Sequence, residues 1–172
     1  KRFFKKFVGN LLKNLFPSIG NIYTWTYGPI IFDNNYDVYD ELEKFLLSKK
    51  YLIHGVSRDI ESSNFSSLKV LNILNQVVLH SASLTDFHTI IKVIETVNPD
   101  EIYNLSGQSS VGLSFIQPIE TIESITIGVT NILESLRFLK SSAHFYNASS
   151  SECFGDTNNK PANEGTPFHP KS

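Results

Sequence analysis

The chain has 172 residues, of which 41% are hydrophobic and 19% charged, a composition that fits one globular core. No apolar run of about eighteen residues would span a bilayer, and no short apolar segment precedes a small-residue cleavage site. The single cysteine, Cys153, excludes an intrachain disulfide. We therefore expect one soluble domain in a reducing, cytoplasmic compartment.

The charge is segregated along the chain. The net charge is −2, yet the first thirteen residues carry +5 and no acid, which leaves −7 for the rest. The composition lacks methionine, so we expect a fragment or a processed chain rather than a complete translation product. No histidine or cysteine spacing is typical of a metal site, and we expect no nucleic-acid partner.

Residues 1–16 place apolar and basic residues at helical spacing, which predicts a basic amphipathic helix that Pro17 ends. We favour a helix that packs on its own domain or is a foreign extension of it, and the alternative is a helix that docks on a membrane surface or a partner groove. Residues 18–28 carry turn formers without a clear period and are typical of a linker. We expect the main domain to cover residues 29–172.

From Pro29 onward, short apolar runs alternate with helical periods, a pattern typical of β-α-β units. The predicted strands cover 29–32, 51–56, 76–80, 101–105 and 143–147. The predicted helices cover 37–49, 64–73, 86–97 and 119–139. These elements predict an α/β fold with an incomplete, doubly wound parallel sheet of the Rossmann-like type, whose ligand crevice lies at the carboxyl ends of the strands.

Three stretches carry a specific pattern. They are Asp100–Val111 with Asn-Leu-x-x-Gln-Ser, Phe145–Gly155 with Ser-Ser-Glu-x-x-Gly, and Thr166–Ser172 with Thr-Pro-Phe-x-Pro-Lys-Ser. In order and spacing, the chain from about residue 41 to 172 resembles the GDP-mannose 4,6-dehydratases, which are extended short-chain dehydrogenases of the NAD-dependent epimerase/dehydratase family.

The stretch after the fourth predicted strand is rich in small residues, which let the backbone approach a flat ligand closely. The resemblance implies that this stretch follows the ribose and pyrophosphate of a dinucleotide. The cofactor contacts that it implies are Leu105, Ser106, Gly107, Gln108 and Ser109.

Arg58 follows the second predicted strand, where this fold reads the adenosine ribose, and an arginine there favours the 2′-phosphate of NADP. The neighbouring Asp59 leaves a solvated Arg-Asp pair as the alternative. The resemblance places the adenine near Ser83 and Leu84, with Ser83 standing where the family commonly has aspartate. We therefore expect NADP as the cofactor.

Ser150 and Glu152 follow the fifth predicted strand, and an i, i+2 pair on an extended segment would face one side. The resemblance implies that both are catalytic. A tyrosine beyond this chain would take the C4 hydroxyl proton as hydride passes to NADP, and Glu152 would then take the C5 proton and assist loss of the C6 hydroxyl. Ser150 would hydrogen-bond to the C4 oxygen before the hydride returns to C6.

The glycine-rich turn of the family aligns with residues 33–39, where Asp33, Tyr36 and Tyr39 replace glycines. Tyrosine cannot reproduce the tight turn or the backbone approach to a pyrophosphate. Either the segment upstream of about residue 41 is an aberrant junction, which we favour, or the domain is genuine and degenerate. We expect this chain alone to be inactive, because the family's Tyr-x-x-x-Lys pair would lie past Ser172.

The resemblance implies GDP-mannose as the substrate and a homo-oligomeric full-length enzyme. One alternative is another sugar-nucleotide dehydratase or epimerase, since these enzymes share the fold. A second is a non-catalytic domain in which residues 1–16 dock a membrane or a partner.

Overall fold

The computed structural model describes the backbone of Ile22–Trp25 and residues 46–108 and 110–171. The strands are β1 (Ile22–Trp25), β2 (Ile53–Ser57), β3 (Val77–Ser81), β4 (Glu101–Asn104) and β5 (His144–Asn147). The α-helices are α1 (Ser66–Val70), α2 (Phe87–Val97), α3 (Val111–Ile116), α4 (Pro118–Ile122) and α5 (Gly128–Leu139). A π-helical segment (Glu123–Ile127) joins α4 to α5, and 3-10 turns cover Leu74–Gln76 and Ser151–Phe154.

All five strands form one parallel sheet in the order β3-β2-β1-β4-β5. The chain moves outward in one direction from β1 through β2 to β3, and then continues on the other side of β1 with β4 and β5. This is the doubly wound order, and the predicted fold class is confirmed. A ligand crevice is expected where the order reverses, at the carboxyl ends of β1 and β4.

The central strand corrects one prediction. Residues 18–28 were expected to form a linker, but Ile22–Trp25 form β1, which pairs with both β2 and β4. Its four residues contain an isoleucine, a tyrosine, a threonine and a tryptophan, types that favour a pleated strand, and nearby turn formers hid so short a run. The predicted helix over 1–16, the strand over 29–32 and the turn at 33–39 lie outside the described residues.

The other predicted strands are confirmed within two residues of their expected bounds. The predicted helix over 86–97 appears as α2, capped by the Asp86 carboxylate, which accepts from the His88 amide at 3.0 Å. Asn98 ends α2 in the left-handed conformation, with φ 49°. Helix α3 was missed, although Ser110 is an N-cap residue whose hydroxyl accepts from the Leu113 amide.

Hydrophobic clusters lie on the two faces of the sheet. On one face, the buried members come from β2, β4, the helices α2 and α5, and the segment after β3: Val56, Ala82, Leu84, Ile90, Val93, Ile94, Ile102, Ile132 and Leu136. On the other face they are Leu46, Tyr51, Ile53, Val77 and Tyr103. Every residue of β2 and β4 is buried, as expected for central parallel strands covered on both sides.

A buried acid at the start of β4 is satisfied within the strand. Glu101 is 2% exposed, and its Oε2 accepts a hydrogen bond of 2.9 Å from the Tyr103 hydroxyl. Burial, and then the adjacent Glu101 carboxylate, raise the pKa of Tyr103. The phenol therefore stays protonated and can keep donating to the carboxylate.

Two histidines stack across β2 and β3. The rings of His54 and His80 lie 5.1 Å apart between centroids, and His54 Nδ1 is 2.8 Å from His80 Nε2. Burial lowers the pKa of both rings, and the charge of His80 lowers that of His54 further. One ring must donate and the other accept, so the pair requires at least one neutral imidazole.

This pair predicts how stability depends on pH. Below pH about 6.5, the ordinary histidine pKa, the unfolded chain binds protons that the folded pair resists, so the free energy of unfolding falls as the pH drops. The His80→Gln variant removes one titrating ring, and we expect it to lose less stability between pH 7 and about pH 5 than the natural chain. Urea denaturation at several pH values measures this, and parallel curves for the two chains would contradict it.

Candidate nucleotide-binding site

A cleft of about 590 Å³ opens beside the carboxyl ends of β2 and β3. One wall comes from the segments that follow these strands, and the other from the end of α3, from α4 and from the π-helical segment. The lining residues are Arg58, Ser83, Thr85, Ile116, Gln117, Pro118, Ile119, Glu120, Glu123 and Ser124. This is the edge of the sheet where a doubly wound fold binds ligands.

Arg58 and Ser83, both predicted to contact the adenosine, line this cleft together. Arg58 directly follows β2, and its carbonyl accepts a hydrogen bond of 2.9 Å from the Ser81 hydroxyl at the end of β3. The Ser83 hydroxyl lies 3.0 Å from that of Thr85. The bond from Ser81 to Arg58 thus joins the ends of β2 and β3. The side chains of Arg58 and Ser83 lie on the same wall of the cleft.

Leu84 occupies a different environment from Ser83. Its side chain is 3% exposed and belongs to the core cluster, while its carbonyl accepts a hydrogen bond of 2.7 Å from the side-chain Nδ2 of Asn131. A Cβ added to Gly128 would lie 3.3 Å from the Leu84 Cβ, so α5 packs closely against this residue. Leu84 is therefore a core residue, and its contact with a cofactor stays a prediction.

The far wall was not predicted as part of a site. Glu120 and Glu123, acids near the positive amino-terminal end of a helical run, line the cleft. The π-helical segment carries Glu123 and Ser124 into the wall and places Ile125 against Gly107, where an added Cβ would lie 3.3 Å from Ile125 Cγ1. Such π segments frequently occur at functional sites.

The cleft is electrostatically mixed. Arg58 contributes one positive charge to its lining, and Glu120 with Glu123 contributes two negative charges, which gives −1 for the three together. An anion bound beside Arg58 is attracted by the guanidinium and repelled by whichever carboxylate it approaches.

The turn after β4 holds the other predicted cofactor contacts. Leu105 packs against the second core cluster, and Gly107 has φ 127°, a conformation that side-chain-bearing residues rarely adopt. The Gln108 side-chain oxygen accepts 3.0 Å from the Ser110 amide, and Ser106 bonds back to Asn104. Ser109 lies outside the described residues.

The two predicted catalytic residues lie beyond β5, in a geometry that differs from the expected one. The strand ends at Asn147, and Glu152 sits in the 3-10 turn that Ser150 caps. The Ser150 hydroxyl accepts 3.2 Å from the Glu152 amide. The expectation of an extended pair was wrong, because the serine hydroxyl satisfies a free amide at the start of the turn. Both side chains are exposed.

Two of the motif stretches pack against each other. The rings of Phe154 and Phe168 meet edge to face, 5.3 Å apart, and the His169 amide donates 3.0 Å to the Cys153 carbonyl. Gly155 has φ 62°, and an added Cβ would overlap the carbonyl oxygen of His169. Cys153 is half-buried at this contact.

This contact gives a testable prediction. Gly155→Ala forces a side chain into both an unfavourable backbone conformation and the path of residue 169, so we expect a loss of about 1–3 kcal/mol. Gly112→Ala in α3 is the matched control, because an added Cβ meets nothing within 4 Å and alanine favours a helix by about 0.5–1 kcal/mol. Thermal denaturation compares them, and equal effects of the two changes would contradict this account of the turn.

In the part of the chain that the structure describes, no group of three or more His, Cys, Asp or Glu side chains is placed to hold a metal ion. Within the same residues, no helix combines the length and apolar character needed to cross a bilayer.

The fold and the position of the cleft define the class first. The chain superposes on the UDP-glucose 4-epimerase of Thermus thermophilus, solved in complex with NAD, with a TM-score of 0.70 and 17% identity, covering 88% of this chain and 45% of that one. The Thermotoga maritima UDP-glucose 4-epimerase, solved with UDP-glucose, gives 0.69 and 19%, covering 87% and 45%. The described domain is therefore of the Rossmann-like class.

Sequence comparison gives the family. Residues 41–172 match the family described as GDP-mannose 4,6 dehydratase. The GDP-mannose 4,6-dehydratase of Vibrio cholerae is 36% identical over 140 residues, covering 76% of this chain and 37% of the relative. GDP-mannose 4,6 dehydratase 2 of Arabidopsis thaliana is 38% identical over 143 residues, covering 76% and 38%. The chain belongs to the GDP-mannose 4,6-dehydratase family, and it spans somewhat more than a third of the length of these relatives.

Proposed function

We propose that this chain forms the nucleotide-binding part of an enzyme that converts GDP-mannose to GDP-4-dehydro-6-deoxy-mannose by internal hydride transfer through NADP. The observation that supports this most directly is one of placement. The Arg58–Ser83 cleft, the Gly107 turn and the Ser150–Glu152 turn all follow strands that end at the same edge of one parallel sheet. The family relatives carry this activity in their names.

The residues present fit the adenosine half of a nicotinamide dinucleotide. A volume of about 590 Å³ falls within the usual range of small-molecule sites, about 300–1,000 Å³. Gly107, with φ 127°, lets the turn after β4 adopt a conformation that side-chain-bearing residues rarely reach. In this proposal Arg58 and Ser83 hold the adenosine, and Leu105 to Gln108 follow the ribose and pyrophosphate.

The choice between NADP and NAD depends on three charges. Arg58 supports NADP, since guanidinium groups match phosphate geometry and remain charged. Glu120 and Glu123 are the specific observation that favours the second candidate, NAD, because carboxylates oppose a 2′-phosphate. We propose NADP, with Arg58 closest to the 2′-phosphate.

This assignment predicts a selective loss. Arg58→Met keeps the length of the side chain and removes its charge, so we expect the affinity for NADP to fall about tenfold while the affinity for NAD changes little. Arg137→Met, which breaks a surface pair with Glu134 on α5, is the control. Isothermal titration with both dinucleotides decides the point, and equal losses for NADP and NAD would show that Arg58 does not read the phosphate.

In the proposed reaction, Glu152 is the acid-base residue. A bound nicotinamide cofactor would supply the hydride acceptor at C4 and the hydride donor at C6. After oxidation at C4, the Glu152 carboxylate would take the C5 proton and assist departure of the C6 hydroxyl as water, leaving a C5–C6 double bond. The Ser150 hydroxyl would hold the C4 oxygen through a hydrogen bond.

A chimera tests this role. Residues 41–172 would replace the matching segment of the Vibrio cholerae relative, and mass spectrometry would follow GDP-mannose for loss of one water. We expect turnover, and a reduction of about a hundredfold or more on Glu152→Gln, because general acid-base groups contribute about that much. A folded chimera that leaves GDP-mannose unchanged would contradict the proposed function.

Exposed apolar side chains on α3 and α4 bear on the oligomeric state of the protein. Helices α3 and α4 carry four large apolar side chains that are each more than half exposed: Phe115, Ile116, Ile119 and Ile122. Two of them, Ile116 and Ile119, also line the cleft. Clusters of this kind usually mark a contact surface. We propose a homo-oligomeric protein that acts in the cytoplasm.

A further inference from the structure

Asn104 joins the two turns of the proposed site. It is the last residue of β4 and is 2% exposed. On one side its side-chain oxygen accepts from the amide of Ser106, at 3.3 Å, and from the Ser106 hydroxyl. On the other side its Nδ2 donates 2.7 Å to the side-chain oxygen of Asn147, the last residue of β5.

The orientation of the Asn104 amide follows from its partners. A backbone N–H can only donate, so the atom that faces the Ser106 amide must be the oxygen. The nitrogen then faces Asn147, which must present its own oxygen. Ser106, Asn104 and Asn147 therefore form a directional hydrogen-bond relay: Ser106 donates to the Asn104 oxygen, and the Asn104 nitrogen donates to the Asn147 oxygen.

The backbone of Asn104 reinforces this connection. Its carbonyl accepts 2.9 Å from the amide of Ala148, which extends the β4–β5 ladder by one residue beyond the strand ends. One buried residue thus contacts the beginning of both turns, that after β4 and that after β5. The turn after β4 contains Gly107. The turn after β5 contains Ser150 and Glu152.

We propose that Asn104 is a positioning residue that couples the cofactor turn (residues 105–108) to the acid turn (residues 148–155) through its bond to Asn147. The consequence for catalysis rests on the proposed function, whereas the coupling itself is a property of this chain. Because Asn104 is buried and both its side-chain groups are satisfied, movement of one turn strains the bond to the other.

The experiment uses matched changes at the exposed end of the relay. Asn147→Ala removes the acceptor, whereas Asn147→Asp keeps an acceptor oxygen for the Asn104 amide. Amide hydrogen exchange, read residue by residue by NMR on the 172-residue chain, reports on Ser106 across the bond. Calorimetric titration with NADP, carried out on the same samples, reports on the site.

We expect Asn147→Ala to speed exchange at the Ser106 amide about two- to tenfold, the range that one hydrogen bond of ordinary net strength gives. The buried strand β2 should keep its natural exchange rates, and Asn147→Asp should restore the rate at Ser106. Affinity for NADP should fall within the same range in the alanine variant and recover in the aspartate variant. A merely structural role for Asn147 would not produce this selective, rescued change in a different turn.

Two results would distinguish a failure of the Asn104 coupling from a failure of the proposed function. If the exchange at Ser106 is the same in the natural chain and in Asn147→Ala while the variant remains folded, the coupling is overturned. If the natural chain does not bind NADP, the proposed function fails for this chain, and the exchange rates alone then support or overturn the coupling.

Discussion

Parallel pairing of β4 with β1 on one side and β5 on the other is the constraint on which the site depends. Parallel strands end at the same edge of a sheet, so the turns after them must gather there whatever their sequences. The Gly107 turn and the Ser150–Glu152 turn are neighbours for this reason, although about forty residues separate them in sequence. The β2 and β3 ends bring Arg58 and Ser83 together in the same way.

Polar groups at that edge are held by hydrogen bonds from residues with no direct part in the proposed chemistry. Asn104 joins the turns after β4 and β5, Asn131 holds the carbonyl of Leu84, and Ser81 ties β3 to Arg58. Close packing contributes as well, because an added Cβ at Gly107 or Gly128 would lie only 3.3 Å from Ile125 or Leu84, so the helical run after Gln117 packs tightly beside the site. Backbone and core contacts therefore determine the shape of the cleft, and the charged side chains line it without determining that shape.

Much of this architecture was predictable from sequence, and the failures have physical causes. Four strands and the doubly wound class follow from apolar runs that alternate with helical periods. The strand at Ile22–Trp25 was missed because four residues beside turn formers carry little periodic signal. Arg58 was expected just past the end of β2 from the strand-end rule, and Ser83 from the resemblance; both line the cleft, while their contact with a cofactor stays a prediction. The carboxylates of Glu120 and Glu123 were missed as cleft residues because their position depends on how α4 crosses the sheet edge, which no local pattern shows.

The central claim is that a dinucleotide binds at this edge of the sheet. The most direct measurement is the change in backbone amide chemical shifts when NADP is added to the isotopically labelled chain. We expect shifts at Arg58, Ser83 and Gly107 that saturate together, with α1 (Ser66–Val70) unaffected. Shifts confined to α1, or none at millimolar NADP, would contradict it.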